Sequence, residues 1–309
     1  MSSSRGKAPR GVTGIVDRAR AALLGVAVGD ALGATTEFMT PAEIRDRYGV
    51  LREIVGGGWL KLSPGQVTDD TEMTLCVARG IVRSKRWDLG PIADRFVHWL
   101  SGDPADVGAT CRRGIEEYME KGRLEVPLDE RGAGNGAAMR VAPVALYALG
   151  DEELLSRLAV AQARITHHHP LSDAACVSVG KMIQRGLLGA PPGELRAAAE
   201  ELAARHPEFR FEEYDGKSSG YVVETLRTVF DAFFSTGNFE DCVVKTVNRG
   251  GDADTTGSIA GAIAGARYGL AAIPQRWLQA LDPDLRKELS ALAEDLVRKS
   301  PLFAETSPR

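Results

Sequence analysis

The sequence predicts an all-α protein, and two observations support this prediction. Apolar residues recur at three- and four-residue spacing through most of the chain, as at Ile92, Phe96 and Trp99, which is the period of an amphipathic helix. Alternating strand-like runs are scarce, whereas alanine is abundant, as in 194-ELRAAAEELAARH-206, where it favours helix. The expected architecture is therefore a bundle of helices.

The domain organisation is predicted to be simple, because no Pro- or Ser-rich linker divides the 309 residues into two parts. One domain is expected over residues 15–298. Residues 1–14 are expected to form a disordered arm, since they are polar and lack the apolar core of a secretory signal. Residues 299–309 are expected to form a disordered tail.

Composition restricts the classes of function. Hydrophobic residues make up 44% and charged residues 26%, an ordinary balance for a soluble globular protein. The net charge is −4, so no basic field would attract nucleic acid or an anionic membrane. No run of 18 or more uncharged apolar residues occurs, which argues against a membrane anchor. Four isolated cysteines are typical of small buried side chains in a reducing compartment, and cytoplasmic residence is the default expectation.

Glycines at every fourth position mark two of the predicted helices, one with Gly25, Gly29 and Gly33 and the other with Gly257, Gly261, Gly265 and Gly269. Glycine costs a helix about 0.8–1.0 kcal/mol relative to alanine, so the rows need a reason. Residues four apart share one face, where missing side chains allow close backbone approach. A membrane dimer face has the same spacing, but Asp30 and Arg267 argue against it. We expect the two helices to cross just behind an active site.

Adjacent carboxylates, Asp69 and Asp70, stand at the predicted start of a helix, flanked by Thr68 and Thr71. A capping box of Asp69 with Glu72 is one explanation. A cap needs only one carboxylate, however, and this group of oxygens would suit Mg²⁺, Mn²⁺ or Ca²⁺. The segment alone leaves both explanations open.

A second cluster repeats this logic in a glycine-rich loop before a helix, with Asp252, Asp254 and Thr255. Helix capping is again the simpler explanation. The duplication favours a metal site, since four carboxylates would repel one another and resist ionisation if the helix starts met. A pair of divalent cations would relieve that repulsion. The two clusters together therefore predict a two-metal site.

Other polar residues lie in apolar surroundings. Glu37 follows the first glycine helix and could be a surface acid, and Asp106 precedes a helix that it could simply cap. The run His167-His168-His169 suggests a metal site, but consecutive residues cannot all face one ion. We expect one histidine to point into a pocket and the others to be structural or exposed.

Six ordered segments resemble the ADP-ribosylglycohydrolase family, and they lie at 25–39, 56–73, 106–115, 134–140, 162–176 and 247–269. TDDTE at 68–72 and GDADTTG at 251–257 mark the wide family. GGGWLKL at 56–62 and ARITHHHPLSDAAC at 163–176 resemble its nitrogenase-regulating branch. The resemblance extends from about residue 18 to about residue 285.

The resemblance implies a single-domain orthogonal helical bundle with a central cleft that holds two Mn²⁺ or Mg²⁺ ions. It places the metal ligands at Glu37, Thr68, Asp69, Asp70, Asp252, Asp254 and Thr255. Asp106 matches a proposed proton donor or base, with Glu37 beside the metals as a second catalytic acid. The expected substrate-binding residues are Gly57, Gly58, Asn135, Gly136 and His167. Ala109 stands where relatives often carry asparagine, which puts one substrate contact in doubt.

The implied activity is hydrolysis of ADP-ribose from an arginine of a protein, with the nitrogenase iron protein (dinitrogenase reductase) as the expected target. Alternatives are a hydrolase of ADP-ribosyl-serine or another conjugate, a non-catalytic family member, or a phosphatase using the same carboxylates. The resemblance also implies a PII signalling protein as partner and, through it, an ammonium transporter. Any association with the membrane would then be reversible and would depend on that partner, whereas nucleic acid is not an expected ligand.

Overall fold

A pair of antiparallel glycine-rich helices forms the centre of the fold. The structure is a computed structural model that describes residues 10–304. Its α-helices are α1 (Arg10–Gly33), α2 (Pro41–Tyr48), α3 (Asp69–Arg83), α4 (Gly90–Leu100), α5 (Ala109–Lys121), α6 (Ala142–Tyr147), α7 (Glu152–Ala163), α8 (Pro170–Leu187), α9 (Pro192–Arg205), α10 (Val222–Ser235), α11 (Phe239–Val247), α12 (Ala253–Tyr268), α13 (Gln275–Ala280), α14 (Pro283–Arg298) and α15 (Pro301–Ala304). Within this range there is no β-strand, only isolated bridges, so the all-α prediction is confirmed.

The glycine rows lie face to face, as expected. A Cβ atom on Gly29 would lie 2.0 Å from the carbonyl oxygen of Gly257, and one on Gly25 would lie 2.1 Å from that of Gly261. Gly33 meets Ala253 in the same way at 2.2 Å. Because the residue numbers fall along α1 as they rise along α12, the helices are antiparallel. The end of α1 therefore meets the beginning of α12.

The helix α1 runs through the middle of the molecule, and every residue from 21 to 37 is buried. It packs against α3, α8, α12 and α14. The core around it consists mostly of aliphatic side chains. The aromatic side chains of Trp277 and Phe96 are among the largest that are fully buried. This burial fixes the position of α1, and every element that contacts its end is placed with respect to one rigid rod.

The ends of the described chain differ from the expected domain boundaries. α1 begins at Arg10, so residues 10–14 are helical where an arm was expected. Residues 1–9 lie outside the described range. At the other end, Pro301 opens a short helix, and the amide of Leu302 donates to the carbonyl of Leu149. Residues 305–309 also lie outside the described range. No helix among residues 10–304 is long and apolar enough to cross a membrane.

Candidate active site

Three helix ends meet at one point in the structure. The end of α1 contacts the first turn of α12 through Gly33 and Ala253. Asp30, one turn earlier on α1, contacts the first turn of α3. The helix starts that carry the two Asp/Thr clusters are therefore held against the same end of the central helix. Helix N-termini carry partial positive charge, which favours carboxylates at this position.

Asp30 holds the beginning of α3 in place. Its carboxylate accepts hydrogen bonds from the backbone amides of Thr68 (3.0 Å) and Thr71 (3.1 Å) and from the Thr71 hydroxyl. These are amides that no helical carbonyl can satisfy. Burial raises the pKa of Asp30 to about 6, against the opposing effect of these hydrogen bonds. Asp30 thus caps α3 from a neighbouring helix, which leaves Asp69 and Asp70 available for another role.

The two clusters come together as the sequence predicts. Carboxylate oxygens of Glu37, Asp252 and Asp254 all lie within 4.8 Å of one another. The hydroxyl of Thr255 donates to Asp70 across 3.2 Å, which joins the α12 cluster to the α3 cluster. Glu37 belongs to this carboxylate cluster because the chain stays buried from the end of α1, at Gly33, as far as residue 37.

The cluster is electrostatically strained without counter-charge. Burial, reinforced by neighbouring carboxylates, raises the pKa of Glu37 to about 8 and that of Asp69 to about 7. Burial also raises the pKa values of Asp70 and Asp254 well above the ordinary aspartate range, again with a contribution from nearby acids. Such groups either retain protons near neutral pH or bind cations.

The donor set fits hard divalent cations. It consists only of carboxylate and hydroxyl oxygens, the ligands preferred by Mg²⁺, Mn²⁺ and Ca²⁺. One oxygen of Asp70, Oδ1, is buried and has no hydrogen-bond partner among the described residues. Buried polar atoms are rarely left unpaired, so this oxygen is available to coordinate an ion. The carboxylate cluster can therefore bind metal.

Loops complete the surroundings of the cluster. Asn135 donates from its amide nitrogen to Asp252 (2.6 Å) and to the Thr225 hydroxyl (2.9 Å). This fixes the orientation of the Asp252 carboxylate. The amide of Gly108 donates to Asp69 across 3.2 Å, which places the loop of Asp106 beside the cluster. Asp106 itself is half-buried, and burial raises its pKa.

A cleft of about 480 Å³ opens above the cluster. Of the residues predicted from the sequence, it is lined by Glu37, Asp69, Asp106, Asn135, Gly136, His167, Asp252, Asp254 and Thr255. Thr68 and Asp70 lie buried beneath it, where the Thr68 hydroxyl is 3.5 Å from Asp70. Ala109 is also in the cleft wall. The position where relatives often carry asparagine therefore lies in the site.

Two aromatic side chains form part of the rim. Phe38 and Trp59 are 67% and 49% exposed, with ring centroids 5.4 Å apart. The indole N–H of Trp59 donates to the carboxylate of Glu37. Sequence reasoning missed both residues, although Phe38 directly follows Glu37 and Trp59 lies in one of the segments that carry the family resemblance. The available signal was the Gly-Gly-Gly-Trp run at 56–59.

The prediction for Gly57 and Gly58 is corrected, because neither lines the cleft. The Gly57 amide already donates to the carbonyl of Leu62, so it cannot bind a phosphate. Gly58 has a φ of 64°, and a Cβ there would lie 2.1 Å from the Ala34 carbonyl oxygen. These glycines shape the tight turn that presents Trp59 to Glu37.

The three consecutive histidines have different surroundings. His167 is buried in the cleft wall, with Nδ1 2.8 Å from the Thr166 hydroxyl. His168 Nδ1 bonds to the Val126 carbonyl, and His169 Nδ1 accepts from the Leu171 amide at the start of α8. One histidine thus faces the pocket and the others hold structure, as expected from the sequence.

Comparison with known proteins places this geometry in a family. The family model described as "ADP-ribosylglycohydrolase" matches residues 12–303. An "ADP-ribosyl-[dinitrogen reductase] glycohydrolase" of Rhodospirillum rubrum is 50% identical over 281 residues, which cover 91% of this chain and 96% of that protein. An "ADP-ribosylarginine hydrolase Tri1" of Serratia proteamaculans is 33% identical, covering 93% of this chain and 80% of that protein.

A solved structure shows the same fold. The chain superimposes on an "ADP-ribosylglycohydrolase-related protein complex" with a TM-score of 0.83 and 38% sequence identity. The match covers 93% of this chain and 99% of that chain. Sequence and structure therefore agree over nearly the whole length.

Proposed function

The chain belongs to the ADP-ribosylglycohydrolase family, and on that premise we propose that it is a metal-dependent hydrolase that removes ADP-ribose from an ADP-ribosylated arginine. The observation that carries the proposal is the carboxylate cluster at the floor of one cleft, where oxygens of Glu37, Asp252 and Asp254 lie within 4.8 Å of one another and Thr255 bonds to Asp70. The R. rubrum relative is named for action on dinitrogen reductase. The nitrogenase iron protein is accordingly the proposed target, and hydrolysis restores its activity.

The reaction adds water across a C–N glycosidic bond. The bond between the anomeric carbon and the arginine guanidine breaks, a hydroxyl joins the carbon, and the proton goes to the departing guanidine. Positive charge develops on the ribose as the bond breaks.

Two Mn²⁺ or Mg²⁺ ions are the proposed cofactors. Their proposed ligands are Glu37, Thr68, Asp69, Asp70, Asp252, Asp254 and Thr255. When bound, such cations supply Lewis-acid polarisation and a lowered pKa for a bound water molecule. Ordinary glycosidases work with two carboxylates and no metal, and in this protein the excess of buried acids supports the metal-dependent solution.

Asp106 is the proposed proton carrier. It lies on a loop in the cleft wall and is half-buried, and burial raises its pKa, as suits a group that transfers protons. Proton transfer either to the guanidine or to the ribose ring oxygen is compatible with this position. Glu37 is the second proposed catalytic acid, held in orientation by Trp59.

Another part of the cleft wall is proposed to bind the rest of the substrate. Asn135, Gly136 and His167 line it, together with the loop of Ser218, Ser219 and Gly220. Gly136 packs closely against the protein behind the wall, because a Cβ there would lie 2.8 Å from the Cys111 sulfur. The polar side chains of this wall are the proposed contacts of the diphosphate.

Three other functions are less well supported. A hydrolase of serine-linked ADP-ribose would use the same acids, so only the substrate distinguishes it. A non-catalytic family member would be expected to have lost some of the acids, and here all seven predicted ligands are present in the cluster or directly beneath it. A phosphatase would have to release phosphate from a nucleotide.

The proposed partners beyond the substrate are a PII signalling protein and, through it, an ammonium transporter. The protein would then work in the cytoplasm and associate reversibly with the membrane. Co-elution with purified PII on size-exclusion chromatography tests this proposal, and separate elution at all concentrations would contradict it.

The decisive experiment compares two defined substrates. The purified protein, supplied with Mn²⁺, is incubated with an arginine-ADP-ribosylated protein and, separately, with a serine-linked conjugate. Release of ADP-ribose from the arginine conjugate alone, abolished by EDTA, is the expected result. Release from the serine conjugate alone would establish the alternative, and release from neither would overturn the proposal.

A further inference from the structure

A buried arginine lies behind the cleft and has no carboxylate partner among the described residues. The guanidinium of Arg140 is fully buried and stacks over the Phe96 ring at 4.6 Å. Its Nε donates to Gln162 across 3.1 Å, and its Nη2 donates to the Thr166 hydroxyl across 2.7 Å. A buried charge is costly. The buried Arg140 guanidinium therefore needs an explanation. It bonds to Thr166, the residue that precedes the cleft-lining His167.

The direction of each hydrogen bond follows from the chemistry of the donors. Arginine can only donate, so Thr166 Oγ1 accepts from Arg140. The single hydroxyl hydrogen of Thr166 must then go elsewhere, and the remaining polar atom bonded to it is Nδ1 of His167, at 2.8 Å. Because a buried hydroxyl rarely leaves its hydrogen unpaired, Nδ1 is the acceptor and carries no proton.

We infer that Arg140, acting through Thr166, is a positioning residue that holds His167 as the neutral Nε2–H tautomer, a hydrogen-bond donor directed at the cleft. The relay therefore has a fixed polarity. It begins at a permanent cation, passes through one hydroxyl and ends at an N–H group in the wall of the cleft. A neutral imidazole could otherwise present either nitrogen as donor.

The position of Nε2 supports this role. A Cβ on Gly134 would lie 2.9 Å from Nε2, and one on Gly136 would lie 3.3 Å from it. The imidazole edge is thus packed against two glycines of the cleft wall. No acceptor for Nε2 is found among the described residues, so this N–H is available to a bound molecule. On the proposed function, on which this step rests, it is an oxygen of ADP-ribose, either a ribose hydroxyl or a phosphate.

The surroundings also keep the ring neutral. Burial, with a smaller contribution from the charges of Arg140 and Arg113, lowers the pKa of His167 to about 3. A neutral His167 ring is not attracted to the carboxylates of the cleft as an imidazolium cation would be. His168 provides a natural contrast, because a carbonyl can only accept. The bond from its Nδ1 to the Val126 carbonyl therefore requires the opposite tautomer, Nδ1–H.

The first test measures the tautomers directly in the unmodified protein. Long-range ¹H–¹⁵N spectra distinguish Nδ1–H from Nε2–H rings, and the His167 signals are identified by their loss in His167→Gln. We expect the Nε2–H pattern for His167, unchanged between pH 6 and pH 8, and a proton on Nδ1 for His168. An Nδ1–H pattern or a mixture at His167 would overturn the inference without any variant having to fold.

The second test breaks the relay at its middle. Thr166→Val keeps the shape of the side chain and removes the hydroxyl, whereas Thr166→Ser retains it. We expect Thr166→Val to give mixed tautomers at His167 and an ADP-ribose Kd about tenfold higher, the equivalent of one hydrogen bond. Thr166→Ser should restore both properties. Retention of the tautomer and of the affinity in Thr166→Val would refute the relay.

Calorimetry with ADP-ribose separates this inference from the proposed function. Binding to the unmodified protein does not require hydrolysis. If ADP-ribose did not bind at all, the proposed function would fail, while the tautomer of His167 would still decide whether the relay exists.

Discussion

The hydroxyl of Thr255 donates a hydrogen bond to the carboxylate of Asp70, although the two residues are 185 positions apart in the chain. The bond joins the first turn of α12 to the first turn of α3. Both residues are among the proposed metal ligands, so the spacing of these helix starts controls the geometry of the site. That spacing is in turn set by the contact of α1 with each helix.

The glycine contact between α1 and α12 is predicted to be essential for stability. Gly29→Ala would place a Cβ 2.0 Å from a backbone oxygen, and we expect a loss of about 3 kcal/mol in the free energy of unfolding from overpacking. Gly14→Ala, in the same helix with nothing within 4 Å, should instead stabilise the protein by about 0.5–1 kcal/mol. Denaturant unfolding measures both, and equal effects would contradict the close-packing explanation.

Removal of one buried carboxylate should separate metal binding from folding. In Asp70→Asn the side chain keeps its shape, and the loss of one buried charge should leave the metal-free protein as stable as the parent or more so. The rise in Tm on adding Mn²⁺ should be strongly reduced, and hydrolysis should fall about 100-fold or more. The exposed control Asp46→Asn should behave like the parent in thermal melts and in hydrolysis.

The metal-free protein is expected to lose stability as pH rises. The folded-state pKa values of Glu37 (about 8) and Asp69 (about 7) lie above their ordinary values of 4.5 and 3.8. The folded state therefore holds more protons than the unfolded state across this interval, and stability falls with pH. The contribution of these acids is complete below pH about 4 and is lost by pH about 8. Thermal melts in EDTA should show this decline, and saturating Mn²⁺ should remove it; a flat EDTA profile would contradict the electrostatic description.

Trp59 is predicted to orient Glu37 for metal binding. Trp59→Phe keeps the aromatic contact with Phe38 but removes the N–H donor, and we expect metal affinity to fall about tenfold. Trp99→Phe is the matched control, because the Trp99 indole donates in the same way to Glu72, an acid outside the cluster. Metal titration by calorimetry should therefore separate the two variants.

Asp106→Asn should lose catalysis without losing the site. Because Asp106 is outside the proposed ligand set, the variant should bind Mn²⁺ and ADP-ribose like the parent. Loss of a proton-transfer group should lower kcat about 10²- to 10⁴-fold. A variant that binds ADP-ribose and hydrolyses the arginine conjugate at the full rate would refute the role given to Asp106.

Features with a local sequence signature could be predicted, and those that depend on distant partners could not. The four-residue spacing of the glycines predicted the helix crossing. The surplus of carboxylates in the Asp/Thr clusters predicted the convergence of acids. Asp30 was noticed but not explained, since its partners Thr68 and Thr71 lie 38 and 41 positions away. Trp59 was missed for the same reason.

Backbone direction was the other limit of prediction. Gly57 and Gly58 were predicted to bind substrate, but a glycine indicates only that an unusual φ is allowed. Which way the amides point depends on the partner across the turn, here Leu62. The same ambiguity affected the histidine run, where the role of each ring depends on a neighbour that no spacing rule identifies.

The pairing of the first helix with one near the end of the chain has a consequence during biosynthesis. When the ribosome has synthesised the chain up to Asp252, the face of α1 that packs against α12 is still exposed. Only the proposed ligands at residues 37 and 68–70 have then been made. One late segment supplies both the missing cover and the remaining ligands. The packing of α1 and the set of metal ligands are therefore completed by the same late segment. We expect a prematurely terminated chain to be degraded by proteases rather than to persist as a weak enzyme.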